Sequence, residues 1–197
     1  ELHDIPFSLD ADTLMREQRI QPGTEMARTF TELLDRVAEV GRPKAIYEVS
    51  YIEEKGDDSV ALSGVRFTSR ALRRNLDEVE RVFTYVATCG AEADAVVGAE
   101  NDLVQSLWLW TIRERLLDAA RDHLMAHLAD RYRLPHTATM HPGSGDAGVW
   151  PIEQQQELFS IFGDVEALIG VRLTDSMVMV PTMSESGIVF PTESDFA

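Results

Sequence analysis

The sequence predicts an α+β fold with antiparallel strand pairing. Three observations carry that prediction. Between residues 46 and 68 the apolar period changes from helical to alternating and passes through a turn, as in a hairpin. From about Asn101 to Tyr132, apolar residues return at helical steps for a far longer stretch than anywhere else. Strand-like and helix-like segments do not alternate regularly, unlike the repeat that builds a parallel sheet.

The elements follow in order. Leu14 and Ile20 lie on a short helix behind Asp10 or Asp12 as cap. Met26, Phe30, Leu33, Leu34 and Val37 mark one face of a second helix, which Gly41 closes. Ile46, Glu48 and Ser50 then alternate with Tyr47, Val49 and Tyr51. "EKGDD" turns the chain, and "SVALSGVRF" returns as a strand. Leu72, Leu76 and Val79 mark a third helix, and "RVFTYVATCG" reads as a buried strand. Leu109, Ile112, Leu116, Ala120, Leu124 and Leu128 are the stripe of the long helix, which at 1.5 Å per residue spans ~45 Å and serves as a spine. Two short helices, "IEQQQELFSIF" and "VEALIG", and two strands, "SMVMVP" and "SGIVFP", complete the chain.

Composition narrows the function. The 197 residues carry 18 basic and 34 acidic side chains, a formal charge of −16. Nucleic acid and anionic membrane surfaces both recruit basic side chains, so both are excluded as partners. No apolar run approaches the ~20 residues of a membrane span. The opening "ELHDIPFSLD" lacks a basic segment followed by an apolar one, so no signal peptide is expected. The single cysteine, Cys89, has no partner for an internal disulfide, and a cytoplasmic location is expected.

Few residues suggest chemistry on their own. His123 and His127 stand four apart on the long helix, as a metal pair could, but that spacing also suits any solvated face. Asp118 and Asp122 share the same spacing and read as a solvated face, where Arg115, Arg121 and Asp122 could pair at the surface. Cys89 has no base beside it in sequence and reads as a small buried residue. His141 opens a turn dense in glycine and proline, "HPGSGDAGVWP", where backbone must approach something closely. That turn is no phosphate loop, since it has no lysine and contains Asp146.

The order of the last pieces resembles a known family. His141-Pro142-Gly143-Ser144-Gly145-Asp146, with Trp150-Pro151-Ile152-Glu153-Gln154-Gln155, resembles a segment near R-x-S-P-G-Y-G-D-W-P-L-E-Q-Q. Gly170-Val171-Arg172-Leu173-Thr174-Asp175-Ser176, Met179-Val180-Pro181 and Ser184-Glu185-Ser186-Gly187 resemble the stretch that follows it. Both belong to the activation domain of cobalamin-dependent methionine synthase and its stand-alone S-adenosylmethionine-binding relatives. "VFTYVATCGAEAD" and "LDAARDHLMAHL" resemble that family's strand and long helix.

The resemblance implies an activation-like domain over residues 1–197, with an antiparallel sheet, a long central helix and flanking helices. Residues 1–70 would be its helical and hairpin part, and 71–197 a core with a ligand turn at 139–152. It implies reactivation of a corrinoid methyltransferase by reductive methylation. S-adenosylmethionine would be the methyl donor, cobalamin would be held by a partner, and a flavodoxin-like protein would supply the electron. The chain has no D-x-H-x-x-G motif of its own for cobalamin. The implied ligand contacts are Asp118 and Asp122 on the long helix and His141, Pro142, Gly143, Ser144, Gly145 and Asp146 in the turn. Three departures stand out. The family's Arg before Pro-Gly is missing from Thr137-Ala138-Thr139-Met140, its Tyr is Ser144, and Ala147-Gly148-Val149 lengthens the turn. They leave a second implied role: a docking or cap partner of a corrinoid protein, without S-adenosylmethionine binding.

Overall fold

Seven successive side chains of the strand Arg81–Thr88 are buried, on both of its faces. Such a strand needs a hydrogen-bonded neighbour on each edge and a covering layer above and below. The computed structural model, which describes residues 1–99, 102–144 and 149–192, supplies both.

The helices are α1 (Ala11–Glu17), α2 (Glu25–Val40), α3 (Arg70–Asn75), α4 (Ala91–Asp94), α5 (Leu103–Tyr132), α6 (Gln155–Ser160) and α7 (Val165–Ile169). The strands are β1 (Lys44–Lys55), β2 (Ser59–Leu62), β3 (Val65–Thr68), β4 (Arg81–Thr88), β5 (Thr137–Met140), β6 (Arg172–Leu173), β7 (Met179–Val180) and β8 (Ser184–Pro191). Six strands form one sheet in the order β3-β2-β1-β4-β8-β5, and every neighbouring pair is antiparallel. A separate ribbon pairs β6 with β7.

The 30-residue α5 covers one face of the sheet. Its Ala120, Leu124 and Leu128 pack with Phe83, Tyr85 and Ala87 of β4 and Val189 of β8. The N-terminal half of α5 meets α2 instead. Phe30, Leu33, Leu34 and Val37 bury against Trp108, Leu109, Ile112 and Leu116, and the Phe30 and Trp108 rings meet edge-on at 5.6 Å. On the opposite face Val82, Ile188 and Phe190 pack with Leu72, Leu76, Trp150 and Leu158. Ile46 and Val86 meet Phe159, Val165, Ile169 and Val171.

The predicted class, the antiparallel sheet and the long helix are all present, with differences in detail. The helix starts at Leu103 behind an Asp102 cap, whose side chain accepts the Val104 and Gln105 N–H groups; Asn101 lies outside the described residues. Met26 is 52% exposed and Ala27 takes the inward position, so the stripe of α2 is rotated by one residue. The segment "SVALSGVRF" is two strands rather than one. Ser63 and Gly64 both have positive φ, at 50° and 73°, the geometry that lets a two-residue turn match strand twist. α3 ends at Asn75, and Val79 is buried in the link to β4. The strands read in "SMVMVP" and "SGIVFP" belong to different sheets, β7 pairing with β6 and β8 with β4 and β5. β5 was not foreseen: it is a four-residue edge strand with alternate residues exposed and no apolar run to announce it.

Leu124 is wholly buried between α5 and the sheet. Leu124→Ala is expected to lower unfolding free energy by about 2–5 kcal/mol, from lost apolar burial plus the cavity left behind. Urea denaturation followed by circular dichroism checks this.

Candidate functional site

The 141–144 turn leaves β5 where the sheet ends. Pro142 is buried and Ser144 exposed. Gly143 has φ +76°; its N–H donates to the Trp150 carbonyl at 2.8 Å. A Cβ there would lie 2.9 Å from the Ile152 side chain. The close approach that its glycine permits is therefore to the chain itself. It closes the loop that seats Trp150 edge-on to Phe67 at 5.6 Å. Gly145 and Asp146 lie outside the described residues.

The two glutamines after Trp150 are framework. Gln154 bonds the Thr68 backbone twice, accepting from its N–H and donating to its carbonyl, both at 2.8 Å. Gln155 is buried; its amide donates to the Met177 carbonyl at 2.8 Å and accepts from the Ser186 hydroxyl at 3.2 Å. Thus the turn segment, β3, the β6–β7 ribbon and β8 are tied together by side-chain amides.

His141 turns toward the α5 side of the sheet. Its ring meets Tyr85 edge-on, with centroids 6.2 Å apart, and its Nδ1 lies 3.1 Å from the Ser186 carbonyl oxygen. The Tyr85 hydroxyl donates to Glu185. Glu185 lies 3.8 Å from Arg121 of α5, and Arg121 donates to Asp118 at 2.7 Å. A polar line therefore runs His141, Tyr85, Glu185, Arg121, Asp118, from the turn to the middle of the long helix. It exists because Tyr85 and Glu185 sit at odd positions of β4 and β8, on the face that α5 covers. Burial first, then the Glu185 carboxylate, pushes the Tyr85 phenol far above its ordinary range, so it stays a proton donor.

Asp118 is half-buried between two guanidiniums, Arg121 and Arg115, the latter at 3.1 Å and also bonded to Glu17 at 2.8 Å. Asp122 is 77% exposed, with Arg121 at 3.7 Å. The two aspartates thus differ: one anchors a network, the other faces water. Of the remaining candidates, His127 Nε2 lies 3.0 Å from the Tyr47 hydroxyl. Among the described residues no three His, Cys, Asp or Glu side chains gather as metal ligands. Burial, with a smaller contribution from Asp94, pushes the Cys89 thiol up to about 12, which keeps it protonated and a poor nucleophile. A cavity of about 800 Å³, lined by Arg74, Asn75, Glu80, Arg81 and Phe190 among others, opens beside α3. None of residues 118, 122 and 141–144 lines it.

Sequence reading paired Asp122 with the arginines, whereas both guanidiniums bond Asp118, and it missed Tyr85 and Glu185 as their bridge to His141. The usable signal was a tyrosine and a glutamate, on segments otherwise apolar or small, whose strand parity puts both on one face.

A six-stranded antiparallel sheet spanned by a 30-residue helix defines an α+β domain of a particular kind. The chain is similar to the solved MetH reactivation domain bound to AdoHcy, with a TM-score of 0.61, 15% identity, and coverage of 97% of this chain and 72% of that one. The chain therefore has the fold of that reactivation domain. No protein-family model matches the sequence, and no curated protein matches it. Among the described residues no helix is long and apolar enough to cross a membrane.

Gly187 of β8 is buried where β5 ends, and a Cβ there would overlap the Met140 carbonyl oxygen and press on His141 Nδ1 at 2.9 Å. Gly187→Ala is expected to destabilise the domain by about 1–3 kcal/mol. It should also shift the His141 ring resonances in an NMR spectrum, whereas Gly163→Ala, strained by its own φ of +79° but with nothing within 4 Å of the added Cβ, should leave them in place.

Proposed function

We propose that this chain binds S-adenosylmethionine between the 141–144 turn and α5 and supports reactivation of a corrinoid methyltransferase of the methionine synthase type. The observation that carries this reading is the polar line from His141 to Asp118, which joins the turn to the long helix through Tyr85, Glu185 and Arg121. The fold shared with a reactivation domain bound to AdoHcy supports it.

The residues present suit such a ligand. Asp118, Asp122 and Glu185 outnumber Arg115 and Arg121 at this place, and a sulfonium with an ammonium favours a surface with surplus carboxylate. When bound, the sulfonium supplies the methyl group that a partner-held corrinoid accepts, with the electron coming from a flavodoxin-like donor. This chain's contribution is positioning. Of the described residues, His141, Pro142, Gly143 and Ser144 form the proposed backbone cradle. Asp118 and Asp122 face the positive end of the ligand. Arg121 and Arg115 hold Asp118 in place, and Tyr85 holds Glu185. Residues 1–197 act together as one activation-like unit in this reading.

Titration calorimetry of the purified chain is expected to show S-adenosylmethionine binding in the micromolar range. Asp118→Asn should weaken it by about tenfold, about 1.4 kcal/mol. Absence of binding heat from the native chain overturns the reading.

A separate observation favours the second role, a docking or cap partner of a corrinoid-binding protein. Leu103, Leu107 and Trp110, at four- and three-residue steps of α5, are 84%, 56% and 48% exposed. Val97 and Val104 are exposed as well, and exposed apolar residues gathered on one face mark interaction surfaces. The same helix row continues through Glu114 toward Asp118. A protein seated on this row would come to rest beside the polar line. Trp110→Glu is expected to abolish capture of a purified cobalamin-binding protein on immobilised chain while leaving the melting temperature within about 2 °C. Undiminished capture rejects this surface.

A further inference from the structure

Hydrogen bonding around His141 sets which of its nitrogens can meet a ligand. Nδ1 lies 3.1 Å from the Ser186 carbonyl oxygen. A carbonyl only accepts, so Nδ1 carries the hydrogen. The Tyr85 hydroxyl is 3.5 Å from the same nitrogen, at the limit of bonding, and its proton goes to Glu185. The Ser186 carbonyl is itself fixed: Ser186 stands opposite Val86 in the sheet, and its hydroxyl is held by the buried Gln155 amide. The neutral imidazole is therefore the Nδ1–H form, and Nε2 presents its lone pair. Nε2 makes no hydrogen bond to a described residue.

The charged groups nearby point the same way. Glu185 from β8 and Asp118 and Asp122 from α5 are acceptors, and the guanidiniums of Arg115 and Arg121 are already engaged with carboxylates. The cations that the described residues bring to the polar line, Arg115 and Arg121, are thus both committed to this chain's own carboxylates.

We infer that His141 Nε2 accepts a hydrogen bond from the bound ligand, and that this site selects S-adenosyl compounds by their cationic and N–H groups, not by a carboxylate. The inference rests on the S-adenosylmethionine reading above and specifies its ligand class. Decarboxylated S-adenosylmethionine, which keeps the sulfonium and the amine, is expected to bind at least as tightly as S-adenosylmethionine itself. His141→Asn keeps a short amide donor for the Ser186 carbonyl but withdraws the acceptor at the Nε2 position. It is expected to keep the native melting temperature and to lose about tenfold in affinity for both ligands.

Two measurements on the intact chain decide this. Nitrogen-15 correlation spectra of the native protein report the tautomer without any substitution. An Nδ1–H imidazole for His141 supports the inference, and an Nε2–H imidazole overturns it. Calorimetry with both ligands reports selectivity. Equal or tighter binding of the decarboxylated compound supports the inference. Tenfold weaker binding of it, with S-adenosylmethionine still bound, overturns the inference and leaves the proposed function standing. Failure of both ligands to bind overturns the two together.

Discussion

A strand shut away from water along seven consecutive side chains leaves its backbone one source of partners, the strands on either side. For β4 those are β1 and β8, and the rest of the chain is arranged to keep them there. α5 covers one face through Ala120, Leu124 and Leu128. Trp150, Leu158 and the small helices α3, α6 and α7 cover the other. The 141–144 turn serves the same end, since Gly143 lets the chain double back and deliver Trp150 to the core.

Against that apolar background the polar line from His141 to Asp118 is an exception with a defined geometry. Tyr85 is wholly buried, yet its hydroxyl is satisfied by Glu185, and Glu185 by Arg121 across the helix–sheet boundary. A buried phenol without an acceptor would be destabilising, so removing Glu185 would strand the Tyr85 hydroxyl, whereas Asp118 and Arg121 each keep a second partner.

Much of this was legible from the residues. The apolar stripe of α5 and the helix face of α2 follow from helical spacing, because those faces bury against apolar neighbours and little else competes. The alternation over residues 46–51 announced β1. β5 was not legible: it is an exposed edge strand whose identity comes from its pairing with β8, a contact distant in sequence. The turn at Ser63 and Gly64 hid inside a run that looks continuous, because its signal is backbone φ and not hydropathy. For the site, Asp118 and His141 were named as candidates, whereas the bridge between them depends on strand parity and register, which only the pairing of β4 with β8 supplies. At Gly143 the close approach that a glycine signals is to Ile152 of the chain itself.

The ends of the sheet have a consequence of their own. β3 and β5, the outermost strands, are four residues each, while the interior β1 runs for twelve. A stray strand from another molecule would find only a short ladder to extend at either margin, and two such molecules repel through their shared negative charge. A sheet with long, greasy strands at its centre is thereby kept from propagating sideways into fibrils.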